Sequence, residues 1–536
     1  MTGLKTWASL LGAALVLAGA QAARADQAGP VVQTTSGAVR GVAEKNDQLF
    51  MGLPYAAPPI GPLRWKPPAP APVWTDVRDA SKPGSACAQI ISPGMANPAN
   101  SFGEDCLYLN VTVPTTHARS GPLPVMVWVH GGGFSNGTGE DYDSRRLATT
   151  GDVIVVTINY RLGVFGFFGM PGLDDSGVFG LQDQQAALKW VRRNAAAFGG
   201  DPQNVTLFGE SAGAMSACAQ LTSPAARGLF DKVILESGSC LQSWSPSMIY
   251  PGVPAYNEFL PLAALYSSGS GFAAKMGCKE PDAIDCLRKL PTAELVKAWS
   301  DSRPAYGGQV LPKEPAQALR DGDFIHVPLI WGSNRDEWRP SAGVYAMTKP
   351  FTAEVYESFL KDAFGDRASV VEALYSASVL GSPAYAWAAV STDTAWSCPT
   401  LTSDRLASRY SPVYAYEFAD RHAPNPAFTV GAGFDIGAAH ATELAYLFDL
   451  TGKHAAFSPE QEQLSTAMMR YWTNFAATGN PNGPGLPDWP KFDGADGVRE
   501  LVLRPGPDGI APGDMAAEHH CDFWSTHGKA QRSLAP

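Results

Sequence analysis

One stretch of the sequence limits the possible folds more than any other: a predicted strand that runs into a predicted helix, with Ser211 in the turn between them. The apolar residues 205–208 indicate a buried strand, and the small residues and helix formers after Ser211 indicate a helix. Gly209 and Gly213 flank the serine, because larger side chains there would collide with the neighbouring strand and helix. An ordinary strand-to-helix turn is the alternative. The pattern G-x-S-x-G is typical of a nucleophile elbow, which holds a serine hydroxyl at the edge of an α/β sheet, beside the free N–H groups of a helix N-terminus.

Further apolar runs predict that this strand belongs to a parallel sheet covered on both faces. Strands buried on both faces read as continuous apolar runs rather than as alternating ones. Such runs occupy residues 125–129, 153–158, 233–236, 327–331 and 413–418. Helical spacing at residues 181–198 and 460–478 alternates with these strands, which indicates one doubly wound α/β domain. Residues 240–320 and 340–405 break the alternation and look helical, so we expect them to cover the site as insertions.

The N-terminus is predicted to be a secretory signal peptide rather than part of the fold. Lys5 supplies a positive charge, and residues 7–20 form an apolar segment that is too short to span a bilayer. Small residues follow, so we expect cleavage after Ala25, with Ala22 as the other possible site. An uncleaved membrane anchor is the alternative. The mature chain, residues 26–536, is then expected to be a single domain in the periplasm or outside the cell.

Net charge and cysteine content narrow the possible partners and compartments. The chain has 536 residues and a formal net charge of -11, which argues against nucleic acid or an anionic membrane surface as a partner. Its eight cysteines are an even number, as expected of an exported protein with disulfide bonds, but the count leaves their connectivity open. Because no C-x-x-C spacing occurs, a zinc or redox site has little support.

A serine nucleophile needs a histidine base, and the sequence offers several histidines. His440 lies in a loop of small residues before an apolar run, and in this type of fold the base follows the serine and the acid along the chain. His422 and His454 lie in polar loops and are the rival candidates. His519 and His520 lie near the C-terminus, where we expect them to be solvated. His440 is therefore the preferred base.

The acid that orients this base is expected directly after the predicted strand 327–331. Asp336 and Glu337 both lie there, and their position does not decide between them. Either carboxylate is open to a second interpretation as an ordinary surface charge. A pair placed directly after a buried strand is nevertheless a better candidate than most carboxylates of this chain.

Three consecutive glycines follow the predicted strand 125–129 and offer backbone donors for an oxyanion. In the run H-G-G-G-F at residues 130–134, the absence of side chains leaves the N–H groups free to turn toward one point. A plain glycine hinge is the alternative. The position directly after a buried strand, in a chain with a serine elbow, favours an oxyanion site. Gly132, Gly133 and Ala212 are the expected donors.

Taken together, these motifs make the sequence resemble the type-B carboxylesterases, the α/β-hydrolase family that includes bacterial para-nitrobenzyl esterases and the cholinesterases. The likeness extends over nearly all of the mature chain. It is carried by residues 50–56, 62–65, 104–110, 130–134, 159–163, 179–183, 198–202, 208–214 and 521–524. The resemblance implies an α/β-hydrolase fold, with a large and mostly parallel central sheet, helices on both faces and helical insertions over the active site.

The resemblance also implies roles for residues at matching positions. The family's nucleophile falls on Ser211 and its base on His440, and its acid, a glutamate, falls on Glu337 rather than Asp336. Other family positions fall on the oxyanion donors Gly132, Gly133 and Ala212, on two glutamates near the base, Glu210 and Glu443, and on the ion pair of Arg64 with Glu104. No metal ion and no organic cofactor are implied.

Three disulfide bonds are favoured by the same resemblance. They are Cys87–Cys106, Cys278–Cys286 and Cys398–Cys521. It says little about Cys218 and Cys240, which either pair or remain free buried thiols.

Two departures from the family pattern concern the substrate. Relatives usually have glycine after the acid, where this chain has Trp338, so the bulk of the indole is expected to narrow the pocket or shift the acid loop. The segment between Cys87 and Cys106 holds Phe102 as its single aromatic residue. Cholinesterases place there a tryptophan that binds a quaternary ammonium group. A specialist for choline esters is therefore not expected.

The expected function is that of a serine carboxylesterase acting on a small-molecule ester through an acyl-enzyme intermediate. A more specialised hydrolase of a bulky natural-product ester, a lactone or a polyester is the alternative within enzymes. A binding protein of the same fold is the alternative outside them, and the intact serine, histidine and acid argue against it. Oligomeric state does not follow from the sequence.

Overall fold

The computed structural model describes residues 29–91, 100–249, 252–425, 428, 430–431, 433–494 and 500–527. The predicted signal peptide, residues 1–25, lies outside these residues. Within the described part of the chain, no helix has both the length and the apolar character that crossing a bilayer requires.

An 11-stranded sheet forms the centre of the fold. In chain order its strands are β1 Val42–Ala43, β2 Asp47–Pro54, β3 Tyr108–Pro114, β4 Leu123–Val129, β5 Ile154–Ile158, β6 Gly200–Glu210, β7 Lys232–Glu236, β8 Leu329–Asn334, β9 Val413–Phe418, β10 Leu501–Leu503 and β11 Ile510–Pro512. Their order across the sheet is β11-β10-β9-β8-β7-β6-β4-β5-β3-β2-β1. Neighbouring strands from β10 to β5 are parallel, and the strands at both margins are antiparallel. The predicted α/β fold with a large, mostly parallel sheet is confirmed.

Helices connect the strands and fill the insertions. The α-helices are Arg145–Gly151, Gly163–Phe167, Phe179–Asn194, Ala212–Thr222, Leu262–Lys275, Ala283–Lys289, Thr292–Ala298, Pro315–Asp321, Arg339–Thr348, Ala353–Phe364, Ala368–Leu374, Ala377–Leu380, Pro383–Thr392, Cys398–Ala407, Pro459–Thr478, Met515–Glu518 and Cys521–His527. Short strands outside the central sheet are Val31–Thr34, Gly37–Arg40, Arg78–Asp79, Tyr142–Asp143, Ser243–Trp244, Tyr256–Asn257, Leu260–Pro261, Ala305–Tyr306 and Asp449–Leu450.

Both faces of the sheet are covered, which explains why its central strands read as continuous apolar runs. Successive side chains of a strand point to opposite faces. Val127 packs in one hydrophobic cluster with the helices Phe179–Asn194 and Ala212–Thr222, while Trp128 packs in a second cluster with the helix Pro459–Thr478. Each central strand is therefore held between two apolar layers, and its carboxyl end is fixed relative to the neighbouring strands.

The insertions at residues 240–320 and 340–405 are helical, as predicted, and they contain two small strand pairs as well. A π-helical turn, Asp393–Ser397, joins the helices on either side of it within the second insertion. Trp396 in that turn packs against the ring of His440, with the ring centroids 4.4 Å apart. The second insertion therefore reaches the residues that the sequence marks as a candidate active site.

All eight cysteines are close enough to form disulfide bonds, in four pairs. They are Cys87–Cys106, Cys218–Cys240, Cys278–Cys286 and Cys398–Cys521, with Cα–Cα distances from 4.9 to 5.7 Å. These distances lie in the usual range for a disulfide. The sequence left open whether Cys218 and Cys240 pair, and the structure pairs them. The pair Cys398–Cys521 links the helix Cys521–His527 to the body of the fold.

The expectation that His519 is solvated is wrong. Its side chain is buried, with Nδ1 2.6 Å from Asp393 Oδ1 and Nε2 2.6 Å from Glu417 Oε1. Burial disfavours the charged ring, but the two carboxylates outweigh it and raise the pKa of His519 well above its usual value. His519 is therefore a cation that holds the C-terminal segment against β9 and the second insertion, where Arg335 also contacts Glu417.

We expect the substitution His519→Ala to lower the free energy of unfolding by about 3–5 kcal/mol at neutral pH, because it removes the cation between two buried carboxylates and leaves Glu417 with Arg335 alone. A raised pKa in the folded state means that the stabilisation is fully present below the unfolded-state pKa of about 6.5 and is lost as the pH rises through the folded-state pKa. The difference in the free energy of unfolding between the parent protein and the variant should therefore become smaller toward alkaline pH. Urea denaturation with the disulfides intact, repeated across pH, measures it.

The neighbouring substitution His520→Ala serves as the control for this experiment. His520 is half-buried and packs against the ring of Tyr375, whereas the hydrogen bonds to Asp393 and Glu417 come from His519. It should have a much smaller effect on stability and no comparable pH dependence. Equal losses in the two variants would show that His519 contributes only packing.

Candidate active site

The turn at Ser211 has a backbone conformation that few residues adopt. Strand β6 ends at Glu210, the next helix begins at Ala212, and Ser211 between them has φ 56° and ψ -124°. The backbone holds this conformation from both sides, because the N–H of Ser211 donates to Glu236 O at 2.9 Å and the N–H of Met215 donates to Ser211 O at 2.9 Å. Such backbone strain costs on the order of 1–3 kcal/mol and is concentrated at functional sites.

The two flanking glycines are required by the close approach of strand β4. A Cβ on Gly209 would lie 2.6 Å from the carbonyl oxygen of Val129, and a Cβ on Gly213 would overlap the same oxygen. The predicted steric reason for the G-x-S-x-G pattern therefore holds in the structure. The turn can only be this tight because neither position carries a side chain.

A continuous hydrogen-bond chain joins the three side chains that the sequence proposes as nucleophile, base and acid. Nε2 of His440 lies 2.9 Å from Oγ of Ser211, and Nδ1 of His440 lies 2.7 Å from Oε2 of Glu337. The carboxylate can only accept, so Nδ1 carries the proton and Nε2 is free to accept from the hydroxyl. Along the chain, His440 lies 229 residues after Ser211 and 103 residues after Glu337.

The geometry separates the two carboxylates that the sequence left as alternatives. Glu337 is completely buried, accepts the backbone N–H of Asn334 at 2.7 Å through Oε1, and receives the N–H of His440 on its carbonyl oxygen at 3.1 Å. Asp336 points away from this group and binds Arg339 and Arg421, at 2.8 and 2.9 Å. Glu337 alone of the pair is placed to orient the imidazole.

The rival histidines lie outside this group. His422 and His454 are exposed, and His454 is held between Asp449 and Glu462 at the surface. The glycine-loop histidine, His130, is fully buried, and burial lowers its pKa to about 4. A neutral His130 fits its position, because its ring stacks on Tyr160, with the ring centroids 4.5 Å apart.

The glycine loop after strand β4 lies directly against the serine. A Cβ on Gly131 would lie 2.7 Å from Glu210 Oε2 and 3.0 Å from Ser211 Cβ, so only a glycine fits there. Gly132 and Gly133 have φ angles of 103° and 58°. Within the described residues, the N–H groups of Gly132 and Gly133 donate to no other backbone group. The N–H of Ala212, at the start of its helix, has no intrahelical partner either.

Three further buried glutamates lie near this group, and one of them, Glu210, contacts the base. Glu210 Oε1 lies 3.1 Å from His440 Nε2, so the two form an ion pair when the ring is protonated, and burial raises the pKa of Glu210 to about 7. Glu443 accepts a short hydrogen bond from the side chain of Asn334, and burial raises its pKa well above the usual value. Burial lowers the pKa of His440, but Glu210 and Glu337 outweigh this and raise it overall.

The third glutamate, Glu236, was not identified from the sequence. It ends strand β7 directly beside Glu210, and its Oε1 accepts the indole N–H of Trp472 at 2.8 Å. Burial raises the pKa of Glu236 to about 8, so the group is largely uncharged at neutral pH. A glutamate at the end of a strongly apolar strand is the signal that sequence reasoning had available.

Comparison with known proteins finds relatives over nearly the whole chain. A profile of the carboxylesterase family matches residues 28–524. The chain is 37% identical to the para-nitrobenzyl esterase of Bacillus subtilis, over 88% of this chain and 94% of that protein. It is 34% identical to a human cocaine esterase, over 93% of this chain and 91% of that protein.

A solved structure of a thermophilic PNB esterase superposes with a TM-score of 0.74 at 34% identity, covering 92% of this chain and 99% of that one. The resemblance drawn from the sequence motifs is therefore confirmed. The chain belongs to the carboxylesterase family and is a carboxylic ester hydrolase.

Proposed function

We propose that this protein is a serine carboxylesterase in which Ser211 is the nucleophile, His440 the base and Glu337 the acid. The observation that carries the proposal is the hydrogen-bond chain from Ser211 Oγ through the two nitrogens of His440 to Glu337. A serine hydroxyl is a weak nucleophile at neutral pH, and an adjacent oriented base is what activates it.

In the first half of the reaction, Oγ of Ser211 forms a bond to the carbonyl carbon of the ester while its proton passes to Nε2 of His440. The carbonyl oxygen becomes an oxyanion, which the N–H groups of Gly132, Gly133 and Ala212 receive. The bond from carbon to the alcohol oxygen then breaks, and His440 returns the proton to that oxygen. The alcohol leaves, and the acyl group remains on Ser211.

In the second half, a water molecule takes the place of the alcohol. His440 removes a proton from the water as its oxygen bonds to the acyl carbon, and the same three donors receive the oxyanion. The bond to Oγ breaks, His440 returns the proton to Ser211, and the carboxylic acid leaves. Glu337 keeps the proton of His440 on Nδ1 and stabilises the imidazolium in both halves.

The two supporting glutamates act on this relay in different ways. Glu210 lies against His440 Nε2 and stabilises the imidazolium form when its own carboxyl group is ionised. Glu443 binds the side chain of Asn334, whose backbone N–H in turn holds Glu337. Glu443 is thus a positioning residue for the acid rather than a second acid.

The proposed substrate is the carboxylic ester of a small molecule, and the names of relatives span several kinds. They include a cocaine esterase, a para-nitrobenzyl esterase and a medium-chain fatty acyl-CoA hydrolase from Anas platyrhynchos. A hydrolase of a bulky natural-product ester, a lactone or a polyester remains the second candidate. The four cysteine pairs support an oxidising compartment, the periplasm or the cell exterior, as the place of action.

The organophosphate diethyl para-nitrophenyl phosphate tests this proposal. Oγ of Ser211 should displace para-nitrophenolate and keep the diethylphosphoryl group, since the resulting phosphoryl oxygen is held like the oxyanion. Mass spectrometry of the digested protein should find one such group per chain, on the peptide that contains Ser211. Hydrolysis of para-nitrophenyl acetate should fall in proportion to the labelling.

Two outcomes would contradict the proposal. Labelling of another residue, with full loss of hydrolysis, would place the nucleophile elsewhere. A protein that binds the organophosphate but neither reacts with it nor hydrolyses any ester would be the non-catalytic binding protein of this fold.

A further inference from the structure

Three tryptophans from separate parts of the chain meet beside His440. Trp244 lies in a short strand of the first insertion, Trp338 directly follows Glu337, and Trp396 lies in the π-helical turn Asp393–Ser397. Their ring centroids are 4.7, 5.4 and 5.6 Å apart, so each indole touches the other two. A π-helical turn inside a helical stretch frequently marks a functional site.

This tryptophan cluster contacts the proposed base directly. The centroid of Trp396 lies 4.4 Å from that of His440, and the centroid of Trp338 lies 6.1 Å from it. Centroid separations of this size are those of packed aromatic rings. The indoles therefore form a wall on one side of His440, whose Nε2 contacts Ser211.

The wall is fixed in place by hydrogen bonds at two of its three members. The indole N–H of Trp244 donates to Glu258 at 2.7 Å, and the indole N–H of Trp338 donates to the carbonyl oxygen of Met248 at 3.2 Å. The backbone N–H of Trp338 also donates to Thr392 at 3.0 Å. A ring anchored at both its backbone and its nitrogen cannot swing aside without losing these bonds.

Of the three rings, Trp338 is the one with appreciable solvent-accessible surface. Trp244 and Trp396 are 4% and 3% exposed, whereas Trp338 is partly exposed. Because the three rings are in mutual contact, no substituent fits between them. On this side of the ester, the surface left for a substituent is therefore the exposed part of Trp338, beside His440.

We infer that Trp338 is the residue that determines specificity by size: it restricts the ester substituent beside His440 to small groups, so that the preferred substrates carry a short chain on that side. This inference rests on the proposed role of Ser211 and His440, and it concerns which esters are turned over rather than how. It assigns to this chain the class of short-substituent esters, in contrast to bulky ones.

The test compares the parent protein with Trp338→Gly on two pairs of esters. The acyl pair is para-nitrophenyl acetate and para-nitrophenyl benzoate, and the alcohol pair is methyl acetate and benzyl acetate. In one of the two pairs, the ratio of kcat/KM for the bulky ester to that for the small ester should rise by about 10-fold or more in the variant, which is the scale on which pocket size discriminates substrates. The pair that changes identifies the substituent that lies on Trp338.

Trp299→Gly is the matched control, because it removes the same type of side chain from the first insertion, at a position that does not contact the base. Trp299 packs on Phe168 and Phe272, away from the tryptophan cluster. It should leave both ratios unchanged. Trp338→Phe keeps a smaller ring in the cluster and should shift the same ratio in the same direction by a smaller factor, which tests the inference even if Trp338→Gly fails to fold.

Unchanged ratios in both ester pairs, in whichever Trp338 variants are active, would overturn the inference, as would equal shifts in the Trp299 control. Neither result affects the proposed nucleophile, since the parent protein would still hydrolyse the small esters and be labelled at Ser211. An unlabelled parent protein without esterase activity would instead refute the proposed function itself.

Discussion

Replacing Ser211 with alanine should lower kcat/KM for para-nitrophenyl acetate by about 10⁶-fold, the scale on which loss of the nucleophile disables other serine hydrolases. The hydroxyl is the group that bonds to the acyl carbon, and among the described residues Ser211 is the one side-chain hydroxyl that contacts His440. The remaining rate, supplied by the oxyanion donors and by substrate binding, should stay above that of water. Steady-state kinetics with a highly purified protein measures the loss.

The control for this experiment is Ser216→Ala, which changes a buried serine in the helix that begins directly after Ser211. Its hydroxyl accepts the side-chain amide of Gln184 at 2.9 Å and does not contact His440. Ser216→Ala should keep kcat/KM within about 10-fold of the parent value, since a single neutral hydrogen bond is worth only about 0.5–1.5 kcal/mol. Circular dichroism should show both variants folded. A Ser211→Ala variant that retained most of its activity would refute the assignment of the nucleophile.

Replacing Glu337 with glutamine should lower kcat/KM by about 10⁴-fold, as the corresponding change from acid to amide does in a serine protease. The amide is nearly the same shape, so the fold should persist. It carries no charge to stabilise the imidazolium, and its NH₂ group favours the tautomer with the proton on Nε2, which cannot accept from Ser211 Oγ. The pH dependence of kcat/KM should also shift to lower pH, because the carboxylate that helps to raise the pKa of His440 is gone.

Asp336→Asn is the matched comparison, since the two carboxylates are adjacent and both buried. Asp336 binds Arg339 and Arg421 rather than His440, so its loss should mainly reduce stability and leave kcat/KM within about 10-fold of the parent value. The reverse result, with Asp336→Asn inactive and Glu337→Gln active, would transfer the role of the acid to Asp336.

The parts of the fold that could be predicted are those fixed by local chemistry. The glycines around Ser211 could be predicted because larger side chains would clash within a single turn. The burial of the central strands on both faces could be predicted because their apolar runs are unbroken. The residues at which helices and strands end could not be predicted as closely. The helix expected over residues 181–198 ends at Asn194 and continues as a 3₁₀ turn, Ala195–Phe198, because the change of hydrogen-bond pattern leaves no mark in the apolar spacing.

The errors and open choices concern contacts between residues distant in the chain. His519 was expected in solvent because it lies near the C-terminus, whereas its partners Asp393 and Glu417 lie 126 and 102 residues away in the sequence. Asp336 and Glu337 are adjacent, so only side-chain direction separates them. The contacts of Trp338 with Trp244 and Trp396 could likewise not be predicted from the sequence, since those two residues come from different insertions.

The unusual backbone angles of Ser211 have a consequence for any effort to make this protein more heat-tolerant. Glycine adopts these angles more readily than serine does. The backbone strain at Ser211 therefore lowers the stability of the folded protein at the residue proposed as the nucleophile. Screens that reward survival at high temperature alone would tend to relax the segment 209–213 and discard turnover in the process. Durable variants are better sought in the remote helices of the insertions, with that pentapeptide left untouched.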